Sequence, residues 1–251
     1  MSSNRMSSNN MSSNKSPIII SVEGNIGAGK STIMEKMQEL LESKEIVFMR
    51  EPVDIWEKMK DPHDGENILV KFYNDPAMYS FSFQVMAYIT RVSLLINTIR
   101  ENPEAKVIIC ERSLDADRNI FAKMLRDEGK MKNIEYQIYN QLFEEYVKNL
   151  NSEALSLSGI IYIDAAPEIC GSRVMKRARE GESQIPLDYL KACRLYHEKW
   201  LVEGEDLVTE RVLRVVTNED ATYEKGNEMD CGNKWVQHIQ TFVLDTMREL
   251  C

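Results

Sequence analysis

The most informative segment of this chain is Gly24-Asn25-Ile26-Gly27-Ala28-Gly29-Lys30-Ser31-Thr32. It fits the pattern G-x-x-x-x-G-K-[ST], in which glycines allow successive backbone N–H groups to point at phosphate oxygens. The Lys30 ammonium can pair with the β- and γ-phosphates of a nucleoside triphosphate, and the Ser31 hydroxyl can ligate Mg²⁺. Because the segment lies between a predicted strand and a predicted helix, it predicts a phosphate-binding loop (P-loop).

The rest of the chain alternates between short apolar runs and helical patterns. The apolar runs predict five buried strands at residues 18–22, 46–49, 107–110, 160–163 and 212–216. The helical patterns lie between and after them, at residues 33–41, about 77–100, from Pro167, from Pro186 and about 235–250. This alternation predicts an α/β fold of three layers, with one parallel sheet flanked by helices on both faces.

Polar residues directly follow the first three predicted strands. The P-loop follows the first strand, Glu51 follows the second just before Pro52, and Glu111 follows the third. The carboxyl ends of parallel strands lie at one edge of a sheet, where α/β proteins bind their ligands. We therefore expect the loop and the two carboxylates to surround one site.

The composition limits the range of partners. The chain has 251 residues and a net charge of −9, which argues against polymeric nucleic acid or an anionic membrane as a partner, since both require a basic surface. No apolar run has the roughly 18–20 residues that span a bilayer. The five cysteines are widely spaced and form no Cys-x-x-Cys pair, so we predict reduced thiols in a cytoplasmic protein.

The first 15 residues repeat a five-residue unit, as Met1–Arg5, Met6–Asn10 and Met11–Lys15. The repeat is polar and lacks helical periodicity, which predicts a disordered low-complexity tail over residues 1–16. A Ser-rich start without acidic residues also occurs in organelle transit peptides, but the lack of an amphipathic apolar face disfavours that interpretation. Residues 17–251 are predicted to form one domain.

A P-loop occurs in GTPases, ATPases and kinases of small molecules. The guanine-binding pattern Asn-Lys-x-Asp is absent, since residues 233–236 read Asn-Lys-Trp-Val. The predicted strand that ends at Asp164 continues with Ala-Ala-Pro rather than with the glycine of an Asp-x-x-Gly switch. Both observations disfavour a GTPase.

Three further motifs identify a family. They are Glu51-Pro52-Val53 with Trp56, Glu111-Arg112-Ser113 with Asp117-Arg118, and an arginine-rich segment from Arg173 that ends in Ile185-Pro186-Leu187-x-Tyr189-Leu190. With the P-loop they cover residues 24 to about 201, and the chain resembles the deoxynucleoside kinase family, especially its deoxycytidine and deoxyguanosine kinase branch.

The resemblance implies a P-loop kinase fold with an Arg-rich lid. It also implies that the γ-phosphoryl group of ATP or another nucleoside triphosphate is transferred to the 5′-hydroxyl of a deoxynucleoside. Mg²⁺ and a homodimer are further expectations from the family.

The chemistry of the residues is consistent with these expectations. A sugar hydroxyl is a poor nucleophile, so a carboxylate must accept its proton, and Glu51 is the candidate general base. Arg112 can bind near the 5′-oxygen and balance Glu51, while Glu111 joins Ser31 as a candidate Mg²⁺ ligand. The alternative for Glu111 and Arg112 is a surface ion pair.

Arg173, Arg177 and Arg179 are the candidate lid arginines. A transferring phosphoryl group spreads negative charge over three oxygens, which mobile arginines can stabilise. Arg177 is the predicted transition-state contact, with Lys30 in the loop and the other two arginines in support. The alternative for this segment is a solvated basic helix face.

Four residues lie at the spacings of the family's nucleoside-binding residues, namely Tyr73, Gln84, Arg91 and Asp117. The Gln84 amide can pair with two atoms of a base edge. The resemblance implies that Arg91 and Asp117 favour deoxycytidine and purine deoxynucleosides over thymidine, because a fixed guanidinium crowds the thymine methyl group. It also implies that Tyr73 and Glu182 bind the sugar 3′-hydroxyl.

Two aromatic residues, Trp56 and Phe121, are candidate walls of the base pocket, because bases stack favourably on aromatic rings. For Phe121, core packing is an equal alternative.

Some residues depart from the family pattern. Gly181 stands where relatives carry an acidic residue before Glu182. Residues 217–220 resemble the family's adenine-contacting loop, with Asp220 as the candidate contact, but Ala221 occupies a position that is often aromatic. An insertion-like stretch follows at residues 223–232, so the nature of the phosphate donor stays open.

Two alternative functions remain. A thymidylate kinase would continue Arg50-Glu51-Pro52 with two glycines, whereas Val53-Asp54 follows here. A nucleotide-binding regulatory subunit without kinase activity would have no need of a base such as Glu51.

Overall fold

A computed structural model of the chain describes residues 16–149, 155–179, 181–182 and 185–251. Apart from Ser16, the predicted tail lies outside the described residues. Five strands form one parallel sheet, namely β1 (Ile18–Gly24), β2 (Ile46–Met49), β3 (Val107–Glu111), β4 (Leu157–Asp164) and β5 (Val212–Val216). Their order across the sheet is β2-β3-β1-β4-β5, which confirms the predicted α/β fold.

Helices connect the strands. Those before β3 are α1 (Lys30–Leu40), α2 (Val53–Lys58), α3 (Ile68–Asn74) and α4 (Pro76–Glu101). Those between β3 and β4 are α5 (Leu114–Ala116), a π-helical segment (Asp117–Ala122), α6 (Lys123–Asp127) and α7 (Asn133–Asn149). The last three are α8 (Pro167–Arg177), α9 (Leu187–Leu201) and α10 (Cys231–Leu250).

The sheet separates two apolar clusters, because successive strand residues point to opposite faces. Ile19 and Ile108 face a cluster that includes residues of α4 and α9. Ile20 and Ile109, one position further along, face a cluster that includes residues of α1 and α10. This alternation produces the three layers.

Some boundaries differ from the prediction for local reasons. β1 continues to Gly24 because Glu23 and Gly24 still pair with β4. α10 begins at residue 231 rather than about 235, because the Asp230 side chain caps it by accepting a hydrogen bond from the Asn233 N–H at 3.1 Å. The insertion-like stretch therefore includes the first two residues of this helix.

The carboxyl ends of β1, β2 and β3 surround a cavity of about 840 Å³. The P-loop, Glu51 and Glu111 all line it, as expected from their places after these strands. Among the described helices, none is long and apolar enough to cross a membrane.

Candidate active site

The P-loop curls around the buried side chain of Lys30. Its Nζ donates hydrogen bonds to the carbonyl oxygens of Gly24 at 3.2 Å and Asn25 at 3.0 Å. Burial, aided by the charge of Arg112, lowers the pKa of Lys30 to about 8. Gly27 has a φ of 79°, and a Cβ atom there would lie 2.5 Å from the Cys170 carbonyl oxygen, so the loop needs glycine at this position.

Seven of the nine P-loop residues line the cavity, those from Ile26 to Thr32. Asn25 instead turns its side chain towards α9, where Nδ2 donates to the Leu190 carbonyl oxygen at 2.8 Å. Its Oδ1 accepts from the Ile26 N–H at 2.9 Å. Asn25 therefore anchors the loop rather than presenting its side chain to a ligand.

Ser31 and Glu111 meet at the base of the loop. The Ser31 Oγ donates to Glu111 Oε1 at 2.7 Å, and Glu111 is only 6% exposed. Together they offer hydroxyl and carboxylate oxygens, which are the ligands that Mg²⁺ prefers. Among the described residues, no group of three or more His, Cys, Asp or Glu side chains could hold a metal by itself. An ion here would need phosphate or water oxygens as well.

Glu51 is held by two arginines. Its Oε1 accepts hydrogen bonds from Arg91 Nη2 at 2.7 Å and Arg112 Nε at 3.1 Å. Burial by itself would raise the pKa of Glu51, but the charges of Arg112, Arg91 and Lys30 outweigh it and lower the pKa to about 2. Glu51 is therefore ionised at neutral pH, as a proton acceptor must be.

Arg112 lies beneath the cavity in a left-handed backbone conformation, with a φ of 67°. Such strain in a non-glycine residue is characteristic of functional sites. Its guanidinium stacks over the Phe121 ring at 4.4 Å, and Phe121 both lines the cavity and belongs to the core. The alternative prediction of a surface ion pair between Glu111 and Arg112 is wrong, because both residues are buried and each binds another partner.

The predicted base-recognition residues meet at the far end of the cavity. Arg91 from α4 and Asp117 from the π-helical segment form a buried ion pair. Burial raises the pKa of Asp117 to about 6, against the attraction of Arg91 and Arg112. Gln84 is 2% exposed, and its Oε1 has no hydrogen-bond partner among the described residues.

Trp56 forms part of the same end of the cavity. Its Nε1 donates to Thr90 Oγ1 at 3.0 Å, and its ring packs edge-on against Phe83 at 5.5 Å. Trp56 is thus held rigidly where it lines the cavity.

The candidate lid arginines have different environments. Arg173 donates to three backbone carbonyl oxygens, those of Ala28 at 3.1 Å and of Thr217 and Glu219 at 3.0 Å each. It therefore joins the P-loop to the segment after β5. Its Nη1 and Nη2 thus bind backbone oxygens, and its role as a mobile lid arginine stays a prediction.

The other two arginines contact Glu182. Arg177, the last residue of α8, donates through Nε at 3.1 Å and also through Nη2. Arg179, beyond the helix, donates from Nη1 at 3.0 Å. Arg177, Arg179 and Glu182 line the cavity together with Tyr73. Burial raises the pKa of Tyr73, so its hydroxyl is a neutral donor.

The glycine at position 181 has a steric reason. Its φ is 84°, and an added Cβ would lie 3.1 Å from Val70 Cγ2 and 3.2 Å from Val70 Cα. A side chain at this left-handed position is strained, and Val70 would have to shift by a few tenths of an ångström to admit its Cβ. The predicted mobility of the lid stays a prediction.

Sequence reasoning missed several cavity residues, among them the aromatic residues Tyr223 and Trp235, which line the cavity together with Asp220 and Arg173. The Tyr223 ring fits against Gly232, where a Cβ would approach the ring to 2.6 Å. Ala221 is small, and Tyr223 supplies the aromatic ring near that position. The one sequence signal for this contact is that Gly232 lies nine residues after Tyr223, and such a spacing is weak evidence.

Comparisons with known proteins agree with this geometry. A family model described as deoxynucleoside kinase matches residues 20–244. Deoxycytidine kinase of Homo sapiens is 36% identical over 197 residues, which cover 73% of this chain and 75% of the relative.

Two further relatives have similar identities. A protein of Fowlpox virus (strain NVSL), described as a probable deoxycytidine kinase, is 35% identical over 187 residues, covering 74% of this chain and 73% of its own. Mitochondrial thymidine kinase 2 of Homo sapiens is 33% identical over 187 residues, covering 74% of this chain and 65% of its own. The matched region contains the P-loop and the residues of the cavity, and this chain belongs to the deoxynucleoside kinase family.

Proposed function

We propose that this kinase uses Glu51 as the general base for phosphoryl transfer to the 5′-hydroxyl of a deoxynucleoside. The observation that carries the proposal is the ionised Glu51 carboxylate, which lies in one cavity with Lys30 and Ser31 of the P-loop. A nucleoside triphosphate on the P-loop and a sugar near Glu51 would have their reacting groups side by side. Such proximity is a large part of phosphoryl-transfer catalysis.

In the proposed reaction, the 5′-oxygen forms a bond to the γ-phosphorus while the bond between that phosphorus and the β-phosphate oxygen breaks. The 5′-hydroxyl proton passes to Glu51. Arg112, next to Glu51, orients the 5′-oxygen, and Lys30 and Arg177 stabilise charge on the phosphoryl oxygens. Ser31 and Glu111 would hold Mg²⁺, which when bound neutralises charge on the β- and γ-phosphates.

Arg91, Asp117 and Gln84 are proposed to select the base. The buried ion pair fixes the Arg91 guanidinium, and Gln84 offers a base amino group an acceptor that has no partner in the described part of the chain. Cytosine, adenine and guanine each carry a ring-nitrogen acceptor and an exocyclic amino group, whereas thymine has no amino group and presents a methyl group to the arginine. We therefore expect deoxycytidine or a purine deoxynucleoside to be preferred over thymidine.

The donor base is proposed to bind at the opposite end of the cavity. Asp220, Tyr223 and Trp235 line that end, and aromatic rings stack on any base with little selectivity. ATP or another triphosphate would therefore fit.

We further propose a homodimer and a single domain over residues 17–251 in the cytoplasm. The exposure of Ile134 and Ile138 on α7, at 60% and 46%, supports a surface that a second copy covers.

The test is phosphoryl transfer from ATP–Mg²⁺ to each of the four deoxynucleosides. We expect turnover of deoxycytidine or a purine deoxynucleoside and little with thymidine. Acceptance of deoxynucleoside monophosphates alone would support a thymidylate-type kinase. No turnover, with tight nucleotide binding, would support a regulatory subunit.

A further inference from the structure

Arg91 contacts both the base-recognition carboxylate and the proposed catalytic carboxylate. Its Nη1 pairs with Asp117, and its Nη2 donates to Glu51 Oε1 at 2.7 Å. The Arg91 side chain is 2% exposed, so water competes little for these bonds. One guanidinium therefore ties the base pocket to the group that accepts the proton.

This bond opposes catalysis. Glu51 Oε1 already accepts from Arg112 Nε at 3.1 Å, so two cations occupy the same oxygen. Together with Lys30 they lower the pKa of Glu51 to about 2 although burial raises it. A carboxylate with so low a pKa is a weak proton acceptor at neutral pH. Removal of one cation would make it a stronger base and would free its oxygen for a hydroxyl.

The Nε donor of Arg91 indicates how Arg91 can be drawn away from Glu51. Arg91 Nε is buried without a hydrogen-bond partner among the described residues, and so is the Gln84 Oε1. Both side chains line the cavity. Nε and Nη2 lie on the same side of a guanidinium and form a fork that binds one planar acceptor edge. A base edge that binds this fork pulls the guanidinium, and with it Nη2, away from Glu51.

Resting on the proposed function, we propose that Arg91 restrains Glu51 until the base of the bound nucleoside draws Nη2 away from it. Arg91 is then a positioning residue for Glu51 as well as a contact of the base. Recognition of the base and release of the proton acceptor become one event. The gain appears in the rate of transfer and not only in binding.

The distinguishing substrate is 1,2-dideoxyribose, which has the 5-hydroxyl but no base. With wild type, this sugar leaves Arg91 on Glu51 and is a poor acceptor. In the charge-balanced double variant Arg91→Gln with Asp117→Asn, Glu51 keeps only Arg112. We expect kcat/KM to rise on the order of tenfold for the base-less sugar and to fall by at least about tenfold for deoxycytidine.

Gln84→Leu is the matched control, because it damages base recognition without touching Glu51. It should lower kcat/KM for deoxycytidine without the rise for the base-less sugar that the double variant shows. If the double variant is no faster than wild type on the base-less sugar, the restraint does not exist. If wild type itself fails to phosphorylate any deoxynucleoside, the proposed function is wrong, which is a distinct result.

A crystallographic measurement on wild type decides the matter even if the variants fail to fold. The distance from Arg91 Nη2 to Glu51 Oε1 should stay near 2.7 Å with the base-less sugar bound. With deoxycytidine bound it should exceed the roughly 3.2 Å limit of an N–H···O hydrogen bond. A bond that stays closed in the deoxycytidine complex would overturn the proposal.

Discussion

Removal of the Asp117 carboxylate provides a quantitative test of the buried ion pair. The side chains of Arg91 and Asp117 are 2% and 3% exposed, so Asp117→Asn leaves a buried guanidinium with Glu51 as its anionic partner. Breaking a buried pair by removing one partner costs about 3–5 kcal/mol. Because Glu51 remains, we expect the lower value of about 3 kcal/mol, and a Tm that falls by about 6–12 °C.

The assay is thermal denaturation followed by circular dichroism, with the double variant Arg91→Gln, Asp117→Asn as the control. Since the double variant contains no unpaired charge at this position, its loss should be smaller than the sum of the two single losses by about 1–3 kcal/mol. If the Tm of Asp117→Asn falls by less than about 2 °C, the ion pair contributes less than about 1 kcal/mol and its importance is refuted.

Three further predictions concern single residues. Because the pKa of Glu51 is lowered from 4.5 to about 2, its ionised form stabilises the fold above about pH 4, and a contribution of about 3 kcal/mol is lost as the pH falls towards 2. Urea titrations at pH 7 and pH 3 should therefore show a smaller acid loss for Glu51→Gln than for wild type; equal losses would contradict the shift. Tyr223→Ala should raise the KM for ATP several-fold with the KM for deoxycytidine unchanged, while Tyr223→Phe keeps the ring and behaves like wild type; a change confined to the deoxynucleoside would place Tyr223 elsewhere. Gly181→Asp should lower kcat and Tm, because its Cβ would meet Val70 at 3.1 Å in a left-handed conformation, whereas a neutral result would mean that this contact yields easily.

The sheet and the P-loop could be predicted because their signals are local. A β-branched run such as Ile18–Val22 and the glycine spacing of the loop are each contained within nine residues. The placement of Glu51 and Glu111 at one edge followed from the parallel topology, which is a general rule rather than a property of this chain.

The convergence of Arg91 and Arg112 on one oxygen of Glu51 could not be predicted in the same way. Glu51 is 40 residues from Arg91 and 61 from Arg112, and no local pattern states that both donate to one oxygen. Arg173 likewise donates to carbonyl oxygens 44 and 46 residues later and to that of Ala28, and no local pattern indicates these partners.

The positions of Tyr223 and Trp235 in the cavity could not be predicted for a related reason. Tyr223 lies in an irregular segment with a φ of 52°, and Trp235 lies on a helix whose start depends on the side chain of Asp230. Their proximity follows from that cap and from the small size of Gly232, neither of which has a periodic signature.

The central claim is that Glu51 accepts the 5′-hydroxyl proton. It is tested most directly by the single-turnover rate of phosphoryl transfer from ATP–Mg²⁺ to saturating deoxycytidine, compared between wild type and Glu51→Gln. The amide keeps the size of the side chain and can still accept from Arg112 but cannot take up a proton, so the rate should fall by about 10²–10⁴-fold with a Kd for deoxycytidine changed only a few-fold. A rate within about threefold of wild type would mean that another group, or none, removes the proton.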